Sequence, residues 1–391
     1  MKIGIYNEPS GGGIGGAEST VAILAEALSA TDQVEIVHHR NSLRLEDLCE
    51  ISGARLDRVG LRYVAPTPYS FGLSHIPWRR YRGARAWHAA LSEPYDLFIN
   101  VTHGIPPFCH ARRGALIVLF PVGQRPAGEL VSSRGSSFGS LLKKRTKLLY
   151  HDWEWQRRIG SYQIRTTISE FSRTWIMRRW SADCQVLYPP VDTHFASAPK
   201  ANLILSAGRF TTEGHSKKQS EMIDAFRQMK DDGLKGWEYT CAGSLGESAR
   251  DNSYFKSVEH NAAQCGAEVF ANLGRDRLKK HFEMAKIFWH AAGYGEDDRR
   301  PEMFEHFGIV TVEAMAAGCV PVVINKGGQS EIVRHGVSGF LWDTFDELKQ
   351  YTSLLARDER LRTRMADEAR RRAQLFSREA FVKHFLGLLC A

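Results

Sequence analysis

The chain has 391 residues, of which 43% are hydrophobic and 25% charged, and its formal net charge is +8. This length exceeds the roughly 250–300 residues that a single hydrophobic core usually serves, so two domains are expected. No apolar run approaches the roughly 18 residues needed to span a bilayer, and the first residues leave no room for a signal peptide. Seven scattered cysteines without a Cys-x-x-Cys pair argue against a zinc site or a disulfide framework. We therefore expect a cytoplasmic protein with reduced thiols.

The first forty residues predict the opening of a βαβ unit. A short apolar strand at 2–6 leads into a glycine-rich loop at 11–16, and a helix over 17–30 precedes a second strand at 34–37. Three further strand-like runs follow, at 97–101, 116–120 and 165–168. Strands that alternate with helical stretches indicate a mostly parallel sheet with helices on its faces.

The glycine-rich loop, Gly11 to Gly16, also satisfies a Gly-x-Gly-x-x-Gly pattern, which is typical of dinucleotide-binding domains. That function requires an acidic residue about 20 positions later, where it would bind the ribose. Here the second strand ends in His38-His39-Arg40, which argues against NAD, whereas Arg40 would suit the 2′-phosphate of NADP. An NADP-dependent oxidoreductase is therefore one alternative to consider.

Positive charge is concentrated in residues 51–150, which hold 15 Lys and Arg against 4 Asp and Glu. Within them, basic residues are mixed with aromatic ones between Trp78 and Trp87 and again between Lys143 and Tyr150. Such a mixture suits a surface that meets anionic lipid headgroups or a pyrophosphate-linked acceptor. We therefore consider contact of the region 78–147 with the inner face of a membrane, and a solvated charged face is the alternative. No nucleic-acid motif accompanies the charge, so nucleic acid is not an expected partner.

A second strand–helix series starts after a linker of paired prolines and small polar residues that extends to Asn202. Its predicted strands are 203–207, 238–242, 267–270, 287–290 and 320–324. Two such series predict two doubly wound domains, with ligands bound beyond the carboxyl ends of the strands. We place the domains at 1–195 and 196–376, and a final helix over 377–391 is expected to cross back to the first domain.

Two carboxylates, Glu305 and Glu313, lie eight positions apart across the start of a predicted helix. The segment resembles the Glu-x7-Glu signature of the family 4 retaining glycosyltransferases, and Gly327-Gly328 resembles part of the next motif of that family. The resemblance implies an α/β protein of the GT-B class, with two Rossmann-like doubly wound domains facing a central cleft. It also implies that Glu305 contacts hydroxyls of a donor sugar, that Glu313 binds the ribose, and that the backbone of Phe307 and Gly308 approaches the donor.

A second match to the family starts at Gly208-Arg209 and includes Lys217. Members of that family use an arginine and a lysine here to hold the diphosphate of the donor. Fixed cations stabilise the charge that grows on the leaving phosphate more than they stabilise the ground state. Arg209 and Lys217 are therefore the predicted diphosphate ligands, while Lys218 occupies a place usually held by glycine.

Histidine is where the sequence departs from the family pattern. Many members carry a histidine after an N-domain strand, but here the strand at 116–120 runs into Pro121. An earlier strand ends in Thr102-His103, so His103 is the candidate contact to the donor sugar or the acceptor, with a purely structural loop histidine as the alternative. In the same domain, backbone groups of Gly15 and Gly16 are expected to approach the donor diphosphate or the acceptor.

The resemblance thus predicts a retaining, metal-independent glycosyltransferase, with a hexose as the expected sugar. Its co-substrate would be a UDP- or GDP-linked sugar, with no separate cofactor, and its acceptor a glycan, a lipid-linked molecule or a small molecule. The acidic pair Asp297-Asp298 lies in a run of mixed charge and predicts a solvated loop rather than a metal site. A non-catalytic protein that binds a nucleotide or a glycan with the same fold is the second alternative.

Overall fold

The computed structural model describes residues 1–7, 15–39, 43–66, 78–123, 138–212 and 214–390, with the side chains of 78–84 and 138–148 left out of the description. Two compact units divide the chain. The first contains Met1–Tyr188 together with the segment from Val382 onward, and the second contains Pro189–Phe381. The chain therefore passes from the first unit to the second between Tyr188 and Pro189.

The first unit is built on a seven-stranded sheet with the order β3-β2-β1-β4-β5-β6-β7. Every strand pair in it is parallel, and the order reverses between β1 and β4. This is the doubly wound arrangement that the alternating pattern predicted. The strands are β1 Lys2–Asn7, β2 Gln33–His38, β3 Val59–Tyr63, β4 Leu97–Thr102, β5 Arg113–Val118, β6 Ile164–Thr167 and β7 Gln185–Val186.

Strand β5 starts three residues earlier than the predicted run at 116–120. Its ladder with β4 pairs Leu97 with Arg113 at one end and Thr102 with Val118 at the other. Hydrophobicity alone placed this strand too late, because Leu119 and Phe120 are buried although they lie beyond the strand. The helices of this unit are α1 Gly16–Ser29, α2 Leu45–Ser52, α3 Trp78–Ser92, α4 Phe138–Gly160 and α5 Glu170–Trp180.

The second unit repeats the design with a six-stranded parallel sheet in the order β10-β9-β8-β11-β12-β13. Large aromatic side chains fill its core, among them Trp289, Trp342 and Tyr239, which are almost fully buried. Three of its strands have the predicted limits. The strands are β8 Leu203–Ala207, β9 Glu238–Gly243, β10 Glu268–Ala271, β11 Ile287–His290, β12 Val320–Ile324 and β13 Phe340–Trp342.

The helices of the second unit begin and end where the local sequence provides caps. Thr344 and Glu347 form a capping box at the start of one helix, and Gly266 ends another in the left-handed conformation. The helices are α6 Gln219–Asp231, α7 Ala249–Cys265, α8 Arg275–Met284, α9 Ile309–Ala316, α10 Gln329–Ile332, α11 Phe345–Arg357 and α12 Glu359–Ala373. A last helix, α13 Arg378–Cys390, contains the point where the chain returns to the first unit.

None of the helices in the described ranges combines the length and hydropathy that a bilayer crossing requires. The same residues contain no group of three or more His, Cys, Asp or Glu side chains placed to hold a metal ion. Asp297 pairs with Arg299 at 2.7 Å, and Asp298 pairs with Lys326 at 2.6 Å. Both acidic side chains of the predicted solvated loop therefore have a cation as partner.

Candidate functional site

The candidate site lies at the carboxyl ends of three neighbouring strands of the second unit. Gly208 and Arg209 follow β8, His290 ends β11, and Gly327 comes after β12. Because parallel strands end at the same edge of a sheet, residues far apart in the sequence meet there. Glu305, from the segment before α9, lies at the same edge.

Glu305 is bound by two side chains through the same oxygen atom. Lys217 Nζ lies 2.5 Å from Glu305 Oε2, and His290 Nε2 lies 3.1 Å from that oxygen. The side chains of Glu305 and Lys217 keep only 16% and 15% of their surface exposed. Burial by itself would raise the pKa of Glu305, but the charge of Lys217 and the hydrogen bond from His290 hold the pKa well below its usual value. Glu305 is therefore ionised at neutral pH.

Lys217 and Lys218 face different partners. Lys218 has φ 58° and ψ 41°, a left-handed conformation, at the N-cap of α6. Its Nζ pairs with Glu296 Oε1 at 2.7 Å, whereas Lys217 reaches Glu305. The left-handed backbone gives a physical reason why glycine usually occupies the place of Lys218. Of the two lysines, the structure brings Lys217 to the candidate site.

Arg209 is exposed, and no other residue in the described part of the chain forms an ion pair with its guanidinium. Its backbone is fixed instead. The buried Gln219 donates from Nε2 to the carbonyl oxygens of Arg209 and Gly208, at 3.0 and 3.3 Å. A Cβ atom at Gly243 would lie 1.9 Å from the oxygen of Gly208, so β9 approaches this turn as closely as glycine allows. A turn held by these contacts thus carries an exposed cation.

Helix α9 begins at a backbone conformation that suits only glycine. Gly308 has φ 123°, and a Cβ atom there would lie 2.6 Å from Gln329 Nε2. The preceding side chain, Phe307, is 2% exposed and packs edge-on against Phe376, with ring centroids 5.5 Å apart. The first N–H groups of a helix have no partner within the helix and favour anions. Phe307 and Gly308 can therefore bind a ligand through backbone groups only.

The glycine pair after β12 fixes the backbone of Glu305. Gly328 donates its N–H to the Glu305 carbonyl at 2.8 Å. A Cβ atom at Gly327 would lie 2.1 Å from the same carbonyl oxygen, and one at Gly328 would lie 2.5 Å from Phe307 Cα. These two glycines allow the two segments to pack backbone against backbone.

Comparison with known proteins gives a family match over this part of the chain. Residues 192–372 match the sequence model of the family described as glycosyl transferases group 1. These residues form a group 1 glycosyltransferase domain. The Arg209, Lys217, Glu305 and Glu313 positions all lie inside it.

Two relatives show how far the similarity extends. A GDP-Man:Man(3)GlcNAc(2)-PP-Dol alpha-1,2-mannosyltransferase of Dictyostelium discoideum is 27% identical over 225 residues, which are 54% of this chain and 42% of the relative. The putative glycosyltransferase YtcC of Bacillus subtilis is 23% identical over 236 residues, 54% of this chain and 55% of the relative. The chain thus spans about half the length of these relatives.

Solved structures share the fold over the full chain. Anabaena Alr3699/HepE in complex with UDP has a TM-score of 0.66 at 17% identity and covers 100% of both chains. WaaG, a glycosyltransferase involved in lipopolysaccharide biosynthesis, has a TM-score of 0.62 at 15% identity and covers 98% of both chains. The predicted fold class, α/β of the GT-B type with two Rossmann-like domains, is confirmed.

Glu313 of the group 1 glycosyltransferase domain lies among three cations, Arg275, Lys279 and Arg378, and a second carboxylate, Asp192. Asp192 itself binds Arg275 at 3.0 Å and Lys279 at 3.8 Å. Burial raises the pKa of Glu313 to about 7, because it outweighs the attraction of Arg275 and Arg378. Glu313 therefore changes charge near neutral pH, unlike Glu305.

Glu313→Gln should stabilise the protein at high pH and have little effect at low pH. The pKa of Glu313 is about 7 in the folded chain against a usual 4.5, so the folded carboxyl holds its proton over that range while the unfolded one releases it. Stability consequently falls as pH rises from 4.5 to 7, and above pH 7 the variant should be more stable by up to about 3 kcal/mol. Urea denaturation at pH 5, 6, 7 and 8 measures this. The exposed Glu238→Gln serves as the control, and an equal offset at every pH would contradict the assignment.

In the first unit, the sequence predicted His103, Gly15 and Gly16 as site residues. His103 follows β4 and Gly15 precedes α1, so they lie at the carboxyl ends of neighbouring strands. Glu18 Oε2 accepts the N–H of Gly15 at 2.9 Å. Burial lowers the pKa of His103, and the charge of Glu18 opposes that shift. The roles of these three residues stay predictions, and the first part of the glycine-rich loop, 11–14, lies outside the described residues.

His290 is the residue that the sequence analysis did not select. Its only signal was a polar residue at the end of an otherwise apolar strand, Ile-Phe-Trp-His, where the side chain would have been expected to meet solvent. It is instead 2% exposed and bound to Glu305. The basic stretch gave an expectation that stays open, since most of its side chains, from Arg79 to Arg82 and from Lys143 to Lys147, lie outside the description.

Proposed function

We propose that this protein is a retaining glycosyltransferase that moves a hexose from a nucleoside-diphosphate sugar to an acceptor. The observation that carries the proposal is the cluster at the strand ends of the second unit. There an ionised carboxylate, Glu305, lies 2.5 Å from Lys217, and the exposed cation of Arg209 follows a strand at the same edge of the sheet. A sugar diphosphate has hydroxyls for the carboxylate and negative charge for the cations.

Arg209 and Lys217 would act on the leaving diphosphate. As the bond between the sugar and the phosphate breaks, negative charge grows on the phosphate oxygens, and two fixed cations lower the energy of that state. The N-terminus of α9, which has Gly308 as its N-cap, adds N–H groups without a partner inside the helix to the same end of the sheet. The phosphate that leaves can accept the proton of the acceptor hydroxyl, so the proposed reaction requires no strong base from the protein and no metal ion.

The two carboxylates would hold different parts of the donor. Glu305 would orient the sugar through its hydroxyls, and Glu313 would accept hydrogen bonds from the ribose. A carboxylate that binds hydroxyls works best when ionised, so ribose binding through Glu313 should weaken below about pH 7, the pKa of that residue. In the first unit, His103 is the proposed contact to the sugar or the acceptor.

The donor nucleotide is proposed to be UDP or GDP. Relatives from Dictyostelium discoideum and mouse are named as mannosyltransferases that use GDP-Man, and solved structures of Alr3699/HepE contain UDP. The names of those two relatives also include a PP-Dol-linked glycan. We propose a glycan, a lipid-linked molecule or a small molecule as the acceptor here.

We also propose that the basic region 78–147 meets anionic lipids at the inner face of the membrane. The described end of α4 supports this, since Leu149, Tyr150 and Trp153 are 53%, 45% and 49% exposed. Arg157 stacks on Trp153, with its guanidinium carbon 4.8 Å from the ring centroid. Apolar and aromatic side chains next to cations suit a lipid interface. Equal sedimentation with neutral and anionic vesicles would refute this contact.

A thermal-shift panel tests the proposed activity. The purified protein is mixed with UDP, GDP, ADP, CMP and NADP, first without and then with a divalent metal. A nucleoside diphosphate at 100 times its dissociation constant should stabilise the protein by about 2.7 kcal/mol, and the response should not require metal. A response to NADP alone would favour an oxidoreductase. Donor binding with neither transfer nor slow donor hydrolysis would favour a non-catalytic binding protein.

A further inference from the structure

His290 is almost completely buried at the end of β11, yet it reaches the candidate site through one atom. Its side chain is 2% exposed, and its Nε2 lies 3.1 Å from Glu305 Oε2. Lys217 binds that same oxygen. Among the described residues, none donates a hydrogen bond to the other oxygen, Oε1. The carboxylate is thus anchored on one side and left open on the other.

The chemistry of this contact fixes which proton His290 carries. An ionised carboxylate only accepts hydrogen bonds, so Nε2 of His290 must hold the hydrogen. Burial lowers the pKa of His290 more than Glu305 raises it, which favours the neutral ring. The second nitrogen, Nδ1, is then a bare acceptor, and it has no hydrogen-bond partner in the described part of the chain. His290 therefore supplies a fixed hydrogen-bond donor to Glu305 without adding a second positive charge beside Lys217.

Lys217 alone would be a poor anchor for Glu305 during the reaction. Its ammonium has three hydrogens on a flexible stem, and the diphosphate of a bound donor would compete with Glu305 for them. His290 has no such choice, because its ring is enclosed and its one N–H points at Glu305. Gly328 holds the Glu305 backbone at 2.8 Å, but it does not reach the carboxylate.

We propose that His290 is a positioning residue that holds Glu305 with Oε1 directed at the hydroxyls of the donor sugar. It keeps that orientation when the ammonium of Lys217 turns to the diphosphate. This inference rests on the proposed function, since it assigns His290 to the sugar half of the donor site. The two side chains thus have different tasks. His290 serves only the recognition of the sugar through Glu305, whereas Lys217 also binds the diphosphate.

The test compares His290→Leu and His290→Gln with the wild type. Leucine removes the hydrogen-bond donor to Glu305, whereas the amide of glutamine can place an N–H near the position of Nε2. The free energy of a hydrogen bond to a charged group corresponds to a factor of about ten to a hundred, so His290→Leu should lower kcat/KM for the sugar donor by that factor. His290→Gln should restore most of it. The affinity for the nucleoside diphosphate that the wild type binds, measured by calorimetry, should change less than about twofold, because that ligand lacks the transferred sugar that Glu305 is proposed to hold.

A pH profile separates positioning from a general loss of structure. His290 helps to keep the pKa of Glu305 low, so in His290→Leu the lower acidic limb of kcat/KM, below the one that Glu313 sets near pH 7, should move to higher pH. A purely structural role would lower activity without moving that limb. If His290→Leu does not fold, His290→Asn replaces it, since its amide is too short to reach Glu305 and should give the same loss.

Wild-type kcat/KM in His290→Leu, or a loss of nucleoside-diphosphate affinity equal to its loss of kcat/KM, would overturn the assignment of His290. The wild type tests the proposed function separately. If it bound no nucleoside diphosphate and transferred no sugar, the function itself would be wrong, and the inference about His290 would fall with it.

Discussion

Replacing Arg209 with alanine should lower kcat at least about a hundredfold and leave the thermal midpoint close to that of the wild type. The guanidinium is proposed to stabilise charge that develops on the leaving phosphate, and removal of one such group typically costs a factor of about 100–1,000 in kcat. The side chain is exposed, and its turn is held by backbone contacts to Gln219, so little stability depends on it. Steady-state kinetics with the donor found in the nucleotide panel, together with a melting curve, would measure both quantities.

Arg360→Ala is the matched control for this experiment. Arg360 is another exposed arginine of the second unit, on helix α12, and its removal takes away the same charge and the same side-chain volume. We expect wild-type kcat from this variant. If Arg209→Ala also kept wild-type turnover, Arg209 would not hold the diphosphate. If both variants lost activity equally, the effect would come from net charge rather than from the site.

Gly327→Ala should destabilise the second unit by at least about 2 kcal/mol and abolish detectable transfer. The residue has φ 62°, which costs an alanine about 1 kcal/mol or more. In addition, the new Cβ atom would lie 2.1 Å from the Glu305 carbonyl oxygen, a contact that only a backbone shift can relieve. Such a shift moves Glu305, so sugar recognition should fail even in molecules that remain folded. Urea denaturation and a transfer assay report the two effects.

Gly336→Ala separates the two causes of that effect. Gly336 has φ 74°, close to that of Gly327, but no atom lies within 4 Å of its added Cβ. This variant should therefore show only the backbone cost, about 1–2 kcal/mol, with transfer preserved. Equal destabilisation in the two variants would mean that the close approach to Glu305 contributes nothing.

Much of the fold could be predicted from the sequence, because the limits of a strand depend on the hydrophobicity of a few consecutive residues. Short apolar runs predicted the limits of β8, β11 and β12, since a strand buried on both faces needs continuous hydrophobicity. Strand β5 was placed too late, because Leu119 and Phe120 are buried beyond the end of the ladder. Hydrophobicity reports burial, and burial does not stop where the hydrogen bonds of a strand stop.

Part of the candidate site could also be proposed from the sequence. The motif around Glu305, Gly308 and Glu313 is continuous, and the turn at Arg209 follows directly after a recognisable strand. Glycines with positive φ, such as Gly308 and Gly327, stand where segments pack too closely for a side chain. A glycine in a motif therefore indicates a close backbone contact even when the segment on the other side of that contact is not known.

The sequence by itself predicted the residues of the candidate site and the doubly wound class of both domains, and its resemblance to a family led to glycosyl transfer as the proposed chemistry. Only the tertiary structure decided that Lys217 and His290, 88 and 15 residues away from Glu305, bind one oxygen of its carboxylate. It also decided that Glu305 and Glu313 have opposite pKa shifts. The physical reason is that a pKa depends on which charges and how much water surround a group in space, and neighbours in space are set by the order of the strands in the sheet.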